Sequence, residues 1–470
     1  MEIRKENINV EFKKAKGGLP KSVWETYSAF CNSDGGTIYL GIEENEKGRP
    51  VSAKLTEKET DNLMKEFWAT VNNPGKVSIN ILKEEDVYTD EYDNYPILII
   101  NVPKALREFR PVYIDNNINT GTYKRNNEGD YHCTAAEIRA MLRDASDKPQ
   151  DLLCLQELGL DTLCEETVQS YRNRFSVLHP DHAFLNKSNE EFLEFIGAIR
   201  KDLNGVFHPT RAGLLMFGYA YKIVYEFPEY FLDYEEHHSE DENIRWSDRL
   251  NSDSGQWSGN LFDFYTKVTA RLSSDIKSSF RINDTIRNDD NELHILYREA
   301  LCNAMSNADF YLSQGLVVQS YENRIEFSNP GSLRISLKDA YKEGVSDARN
   351  KTILKMFNLI GVGERAGSGI PTIINICKKY NLPSPEYELL NSPDRVRLTL
   401  YLSSSKESDK GDKRTRIMKY MEQHKECKAK DIAEALNLSV STVKKELYGM
   451  LEEELIEANG IIKDRKYSLK

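Results

Sequence analysis

Apolar and polar positions alternate from Val10 to Lys13, so Val10 and Phe12 line one side of a strand while Glu11 and Lys13 line the other. Gly17, Gly18 and Pro20 end that run. The spacing of Val23, Trp24, Tyr27 and Phe30 then predicts a helix over 21–32. A Ser33-Asp34-Gly35-Gly36 turn leads to a strand over 37–42 that ends on Glu43 and Glu44. An apolar strand over 95–103, a basic strand and turn over 121–130 and a helix over 135–143 capped by Thr134 complete this block. The stretch 151–203 is helical and polar and reads as a connector. After it come an apolar helix capped by Thr210, an aromatic strand over 225–234, a helix over 260–276 and a hairpin over 316–328. In a further strand Val396, Leu398, Leu400 and Leu402 face inward. A polar linker over 403–412 leads to three helices (414–423, 429–436 and 441–453) and a two-stranded wing around Asn459-Gly460.

Between the aromatic strand and the hairpin, a helix with two faces is predicted through 298–310. Leu301, Met305 and Ala308 fall on one face and suit packing on a sheet. Glu299, Asn303 and Asn307 recur every four residues and share another face. A carboxylate one turn before an amide suits a magnesium–nucleotide site. The acid orients or deprotonates a water, and the amide oxygen ligates a hard cation that keeps most of its waters. A solvated polar stripe has the same pattern. Downstream, Gly361, Gly363, Gly367 and Gly369 are followed by Pro371 and a helical pattern over 372–380, just after a helix over 352–359. A glycine loop entering a helix presents backbone N–H groups to phosphates, whereas its bland alternative is a flexible turn. Helix and loop in this order, with a hairpin between them, point to a nucleotide more strongly than either alone.

Composition narrows the classes. A chain of 470 residues exceeds one core, so two to four domains are expected. Hydrophobic content of 39% and charged content of 29% fit a globular protein rather than a disordered one. A net charge of −12 excludes generalised polyanion binding and makes any nucleic-acid contact local. The seven cysteines are scattered without a CxxC pair, so neither a disulfide framework nor a zinc knuckle is indicated. His237 and His238 are adjacent, which points their side chains apart on a strand and favours an exposed loop over a metal site. With no apolar segment long enough for a bilayer and no apolar leader, a cytoplasmic protein without membrane contact is expected.

Three family resemblances follow from these motifs. Glu6, Glu11-Phe12-Lys13 and Asn32-Ser33-Asp34-Gly35-Gly36-Thr37 resemble the Schlafen AlbA-like (divergent-AAA) domain in order and spacing. Glu299, Asn303, Asn329-Pro330-Gly331-Ser332-Leu333, Arg349-Asn350, Gly367 and Gly369 resemble the divergent branch of the GHKL ATPases. Many relatives have a histidine in place of Asn307, and the adenine-reading aspartate of the wider superfamily has no counterpart near Asn329. The segment after the linker resembles a winged helix-turn-helix.

The resemblances imply an α+β multidomain protein. Its expected layout is a Schlafen AlbA-like domain over 1–145, a helical connector over 146–205, a GHKL-like α/β sandwich over 206–402, the linker 403–412 and a winged helix over 413–470. They imply ATP and magnesium as cofactors. Glu299 would be the water activator and Asn303 the magnesium ligand, with Asn307, Asn329, Gly331, Gly363, Gly367, Ser368 and Gly369 around the nucleotide. Lys13, Arg107, Arg110, Lys124 and Arg125 are candidates for nucleic-acid phosphates in the first domain, with ordinary solvated strand faces as the alternative. In the winged helix, Ser441, Thr442, Lys444 and Lys445 would face a groove, and Lys463, Arg465 and Lys466 would touch backbone. Residues 411–470 hold 13 Lys plus Arg against 11 Asp plus Glu, a balance that also suits dimerisation or protein docking.

The leading expectation is an ATP-binding regulator of DNA or RNA, a homo-oligomer, with weak ATPase activity. A second is a Schlafen-like metal-dependent ribonuclease of phage-defence type using Glu6, Glu11 and, at the end of the next strand, Glu43 or Glu44. A third is an assembly scaffold with a vestigial ATP site.

Overall fold

A computed structural model describes residues 6–45, 48–237, 245–279, 290–342, 344–363, 369–390 and 393–402. It also describes most of 417–469, apart from 419, 422, 423, 425, 426, 437–439, 453–455 and 460–465. In the first domain β1 (Val10–Lys13) runs parallel to β2 (Gly36–Leu40), and α1 (Ser22–Asn32) makes the crossover. The strand expected over 37–42 is broken at Gly41, whose φ of 101° suits glycine, and the chain leaves as a hairpin of β3 (Ile42–Glu44) and β4 (Pro50–Ser52). α2 (Glu57–Val71) starts from a reciprocal Thr56–Glu59 capping box. β5 (Val87–Tyr92) and β6 (Tyr95–Val102) complete a sheet of order β1-β2-β6-β5. β6 is apolar because both faces are covered: Leu98 and Ile100 join the core of Trp24, Tyr27 and Phe67, while Ile97 and Ile99 join Phe12 and Ile42. The basic hairpin of β7 (Tyr123–Asn126) and β8 (Gly129–His132) lies against α1, and α3 (Ala135–Ala145) begins with the expected Thr134 cap, reinforced by Glu137.

The segment read as a connector contains α4 (Glu165–Leu178), α5 (Asn189–Ile196) and β9 (Ile199–Lys201). Its Tyr171, Phe175 and Phe192 are buried in the same core as the elements that follow. Those are β10 (Phe207–Pro209), α6 (Arg211–Phe217), α7 (Ala220–Ile223), β11 (Leu232–His237), β12 (Asp248–Asn251), α8 (Leu261–Ser279), α9 (Asp290–Asn307), β13 (Leu316–Tyr321) and β14 (Arg324–Pro330). They are followed by α10 (Leu337–Ala340), α11 (Lys351–Leu359), α12 (Gly369–Lys379), β15 (Glu386–Leu390) and β16 (Arg395–Tyr401). The aromatic strand expected over 225–234 starts only at Leu232. Phe227 and Tyr230 are drawn against Phe310 and Tyr311, and this core packing outweighs their local β preference. The sheet has the order β12-β11-β13-β14-β16-β15, and α9 packs on β14 with α8, α11 and α12 beside it. Leu301, Met305 and Ala308 are buried in this core, as their spacing predicts.

At the C-terminus, helices Ala429–Ala435 and Val440–Glu452 enclose a separate core with Ile432, Val443 and Leu447. The sheet there has three strands, because Cys427–Lys428 pairs with the wing. The architecture is α+β throughout. No described helix is long and apolar enough to cross a membrane.

Candidate nucleotide site and interdomain clasp

The face of α9 opposite the core meets the glycine segment. Glu299, 9% exposed, accepts a hydrogen bond from the Gly363 N–H at 2.8 Å. Arg298, one residue earlier, donates to the Gly361 carbonyl at 3.0 Å and to the Tyr265 hydroxyl at 2.9 Å. The turn Gly361–Gly363, with φ of 71° at both glycines, is therefore clamped from the helix. Asn303 faces the start of α12 so closely that a Cβ on Gly369 would lie 2.6 Å from its Nδ2. Any side chain at 369 would therefore have to displace the Asn303 amide. Asn329 reaches the same space from the end of β14.

These residues bound a cavity of about 90 Å³, with Asn307, Leu333, Arg334 and the segment Val345–Ala348 also in its wall. The Asn303 and Asn329 Nδ2 atoms are buried without a hydrogen-bond partner. Orphaned buried donors of this kind are uncommon and mark a place for an acceptor. The enclosed space is smaller than the hollow for a triphosphate that the motifs imply, since small-molecule sites usually span roughly 300–1,000 Å³. Gly367 and Ser368 lie outside the described residues.

Two expected nucleotide contacts have other work. The Asn307 amide donates to the Asn303 carbonyl at 2.9 Å, capping its own helix end, although the residue still lines the cavity. Gly331, at φ 95°, admits the Arg349 guanidinium, which a Cβ would meet at 2.7 Å. It lines a second, larger cavity between the domains rather than the one beside α9.

Arg349 belongs to a clasp between the first domain and the sandwich. Asp144, in the last turn of α3, takes Arg349 at 2.9 Å and Arg334 at 2.8 Å. Arg349 also donates to the Ser332 carbonyl at 2.9 Å and to the Asn307 carbonyl. Burial raises the Asp144 pKa, but the charges and hydrogen bonds of Arg349 and then Arg334 outweigh it and hold the carboxyl well below the usual range. Arg107 pairs with Asp347 at 2.6 Å, Lys124 with Asp394 at 2.9 Å and Arg143 with Asp309 at 2.8 Å. The acids Asp144, Asp347 and Asp394 carry no motif, and sequence reasoning missed them. So was Asp151, whose carboxylate caps α11 by accepting from the Thr352 and Ile353 N–H groups at 2.6 and 3.0 Å.

The basic candidates of the first domain are accordingly not a free phosphate-binding surface. Arg107 and Lys124 serve the clasp. Lys13 pairs with Glu11 at 2.6 Å, and Arg125, 3% exposed, pairs with Glu11 at 2.7 Å and Asp130 at 2.9 Å. Only Arg110 among the five has no ion pair within the described residues.

The acid set is also rearranged. Glu6 accepts from the Phe12 N–H at 2.6 Å, and its pKa is raised by burial and by the nearby Glu11 and Glu44 charges. Glu43, the expected third acid, turns the other way to pair with Lys14 at 2.8 Å. Among the described residues no group of three or more His, Cys, Asp or Glu is placed to hold a metal. In the C-terminal module Lys444 and Lys466 are exposed. The side chains of Ser441, Thr442 and Lys445, and all of Lys463 and Arg465, lie outside the described residues.

Comparison with known families bears out the three resemblances and their order along the chain. Residues 6–134 match the family described as Schlafen, AlbA_2. Residues 139–233 match a domain of unknown function, and 314–400 match the C-terminal region of the ATP-dependent DNA helicase recG type. Residues 411–458 match the arsR family of bacterial regulatory proteins. The chain thus carries a Schlafen AlbA-like domain, an ATPase-like domain and a helix-turn-helix, in that order. The match over 314–400 excludes α9, so Glu299 and Asn303 stand on geometry and motif alone.

No curated protein matches. Among solved structures, the DIP2311 protein from Corynebacterium diphtheriae is 15% identical, with 98% of this chain and 95% of that one covered and a TM-score of 0.42. The N-terminal domain of a RecG-related ATP-dependent DNA helicase protein from Nitrosomonas europaea is 23% identical over 27% of this chain and 82% of that one, with a TM-score of 0.20. Neither overlay is close enough to transfer detail.

Proposed function

We propose that this chain is an ATP-binding, nucleic-acid-binding regulator in which occupancy of the α9 cavity is passed to the AlbA-like domain through the clasp. The observation that carries this reading is the pair of unpartnered amides, Asn303 and Asn329, turned into a cavity bounded by Glu299, Gly363 and Gly369. Glu299 and Asn303 are oxygen donors of the type that hold magnesium when phosphates complete its shell, and the metal would neutralise phosphate charge there. Glu299 also fixes the glycine turn through the Gly363 N–H, and Arg298 holds it through the Gly361 carbonyl.

Because the enclosed space is small, a nucleotide must displace part of the wall, which includes Arg334 and the segment Val345–Ala348. Arg334 and Asp347 are the sandwich partners of Asp144 and Arg107. Opening the cavity therefore works against the clasp, and by linkage a weaker clasp favours nucleotide. Once loosened, the AlbA-like domain and the winged helix can change their placement on DNA or RNA.

Calorimetry with a non-hydrolysable ATP analogue and magnesium tests this. The intact chain should bind, Asn303→Ala should lose about tenfold or more in affinity, and Arg107→Ala should bind several-fold tighter. A flat titration with the unmodified protein would remove the reading.

A further inference from the structure

The second cavity, about 640 Å³, lies between the AlbA-like domain and the sandwich, and is of a size that admits a mononucleotide. Its wall holds several cations. Lys104 pairs with Asp34 at 2.9 Å, Lys124 with Asp394, Arg125 with Glu11 and Asp130, and Arg349 with Asp144. Arg395, from β16, donates to the Gln314, Gly315 and Ser328 carbonyls. Arg110 differs. The residue is 8% exposed, its Nε is buried without a partner, and no carboxylate or carbonyl accepts from its guanidinium among the described residues.

A guanidinium costs free energy when buried unpaired, and burial indeed pushes the Arg110 pKa down. The surrounding acids compensate only at a distance, since Asp144, Asp34 and Asp394 already hold other cations. What the site lacks is one anion with two or three acceptor oxygens, the partner that the planar fork of an arginine matches best. A triphosphate would bring more negative charge than this wall has spare: besides Arg110 only Arg395 lacks a carboxylate partner among the described residues, and carbonyls already occupy its guanidinium. Tyr131, exposed at the cavity rim, offers a ring face on which a base can stack.

We propose that this interdomain cavity binds a nucleotide bearing a single phosphate, with the phosphate on Arg110 and the base toward Tyr131. That nucleotide can be a free nucleoside monophosphate or the 5′-phosphorylated end of a strand. The site touches both domains, so its ligand stabilises the closed clasp, whereas a nucleotide beside α9 opens it. The proposal does not rest on the ATP reading, and either can fail alone.

The test uses the full chain and phenylglyoxal labelling of Arg110, read by mass spectrometry, beside melting curves. AMP or GMP should slow labelling and raise the melting temperature, while adenosine and guanosine should do neither. A 5′-phosphorylated tetranucleotide, set against its 5′-hydroxyl twin, separates the two sources: protection by the phosphorylated strand alone assigns the site to strand ends. Asn303→Ala should keep the monophosphate response while losing the response to the ATP analogue. Arg110→Gln, with an unchanged circular-dichroism spectrum, should lose affinity for the monophosphate about tenfold or more. The proposal is overturned if no phosphorylated compound protects Arg110 in the unmodified chain, or if a folded Arg110→Gln variant binds as well. Should that variant not fold, protection in the unmodified chain decides by itself.

Discussion

Replacing Asp144 with alanine is expected to cost about 3–5 kcal/mol, the range for removing one partner from a buried ion pair. The loss is large because two guanidinium groups depend on that carboxylate. Arg334 and Arg349 are both nearly buried, and Arg349 would keep only the carbonyls of Ser332 and Asn307. Denaturant midpoints of the two proteins at neutral pH measure the cost. The effect also has a definite pH dependence. The folded-state pKa of Asp144 lies below its ordinary value of 3.8, so the stability it contributes is fully present above 3.8 and declines as pH falls below it. The gap between unmodified protein and variant should accordingly narrow only in that acid range. Equal midpoints at neutral pH would show that the clasp contributes nothing, and the coupling between nucleotide and AlbA-like domain would lose its physical basis.

The clasp also shows what a sequence does not reveal. Val10 to Lys13, the first helix and the Thr134 cap were legible because their signals are local, with a period of two, a helical stripe and a capping residue beside its helix. The polar face of α9 was legible for the same reason. Its contacts with Gly363 and Gly369 join residues some sixty positions apart, and they enclose a hollow tighter than a triphosphate needs. Asp144 and Arg334 stand 190 positions apart, Arg107 and Asp347 240, and Lys124 and Asp394 270. No periodicity encodes pairs at such separations, so the basic residues were visible as charges but their acids were not. A cation read without its partner resembles a phosphate contact. Which of Glu43 and Glu44 joins the other acids stays open in the sequence for a different reason: alternation along β3 sends the two to opposite sides, and only the position of Lys14 tells which side each takes.

Glu11→Ala separates a structural from a catalytic reading of the first domain. Glu11 lies between Lys13 and Arg125, and the Arg125 side chain is only 1% accessible. That guanidinium also holds the Asn7 and Val10 carbonyls at 3.1 and 3.3 Å and lies 5.3 Å from the centre of the Phe30 ring. It therefore joins the strand entry, the basic hairpin and α1. Removing Glu11 leaves Asp130 as its one carboxylate, and the expected cost is about 3 kcal/mol, near the lower end for a broken buried pair. A carboxylate kept for metal-dependent cleavage would behave otherwise: its loss would abolish cleavage of structured RNA in manganese while the melting temperature stayed the same or rose, as active-site acids are held in mutual repulsion. Melting curves and an RNA-cleavage assay on the same two proteins distinguish the outcomes. A lower melting temperature for Glu11→Ala, with no cleavage by either protein, assigns Glu11 to the frame that supports the hairpin.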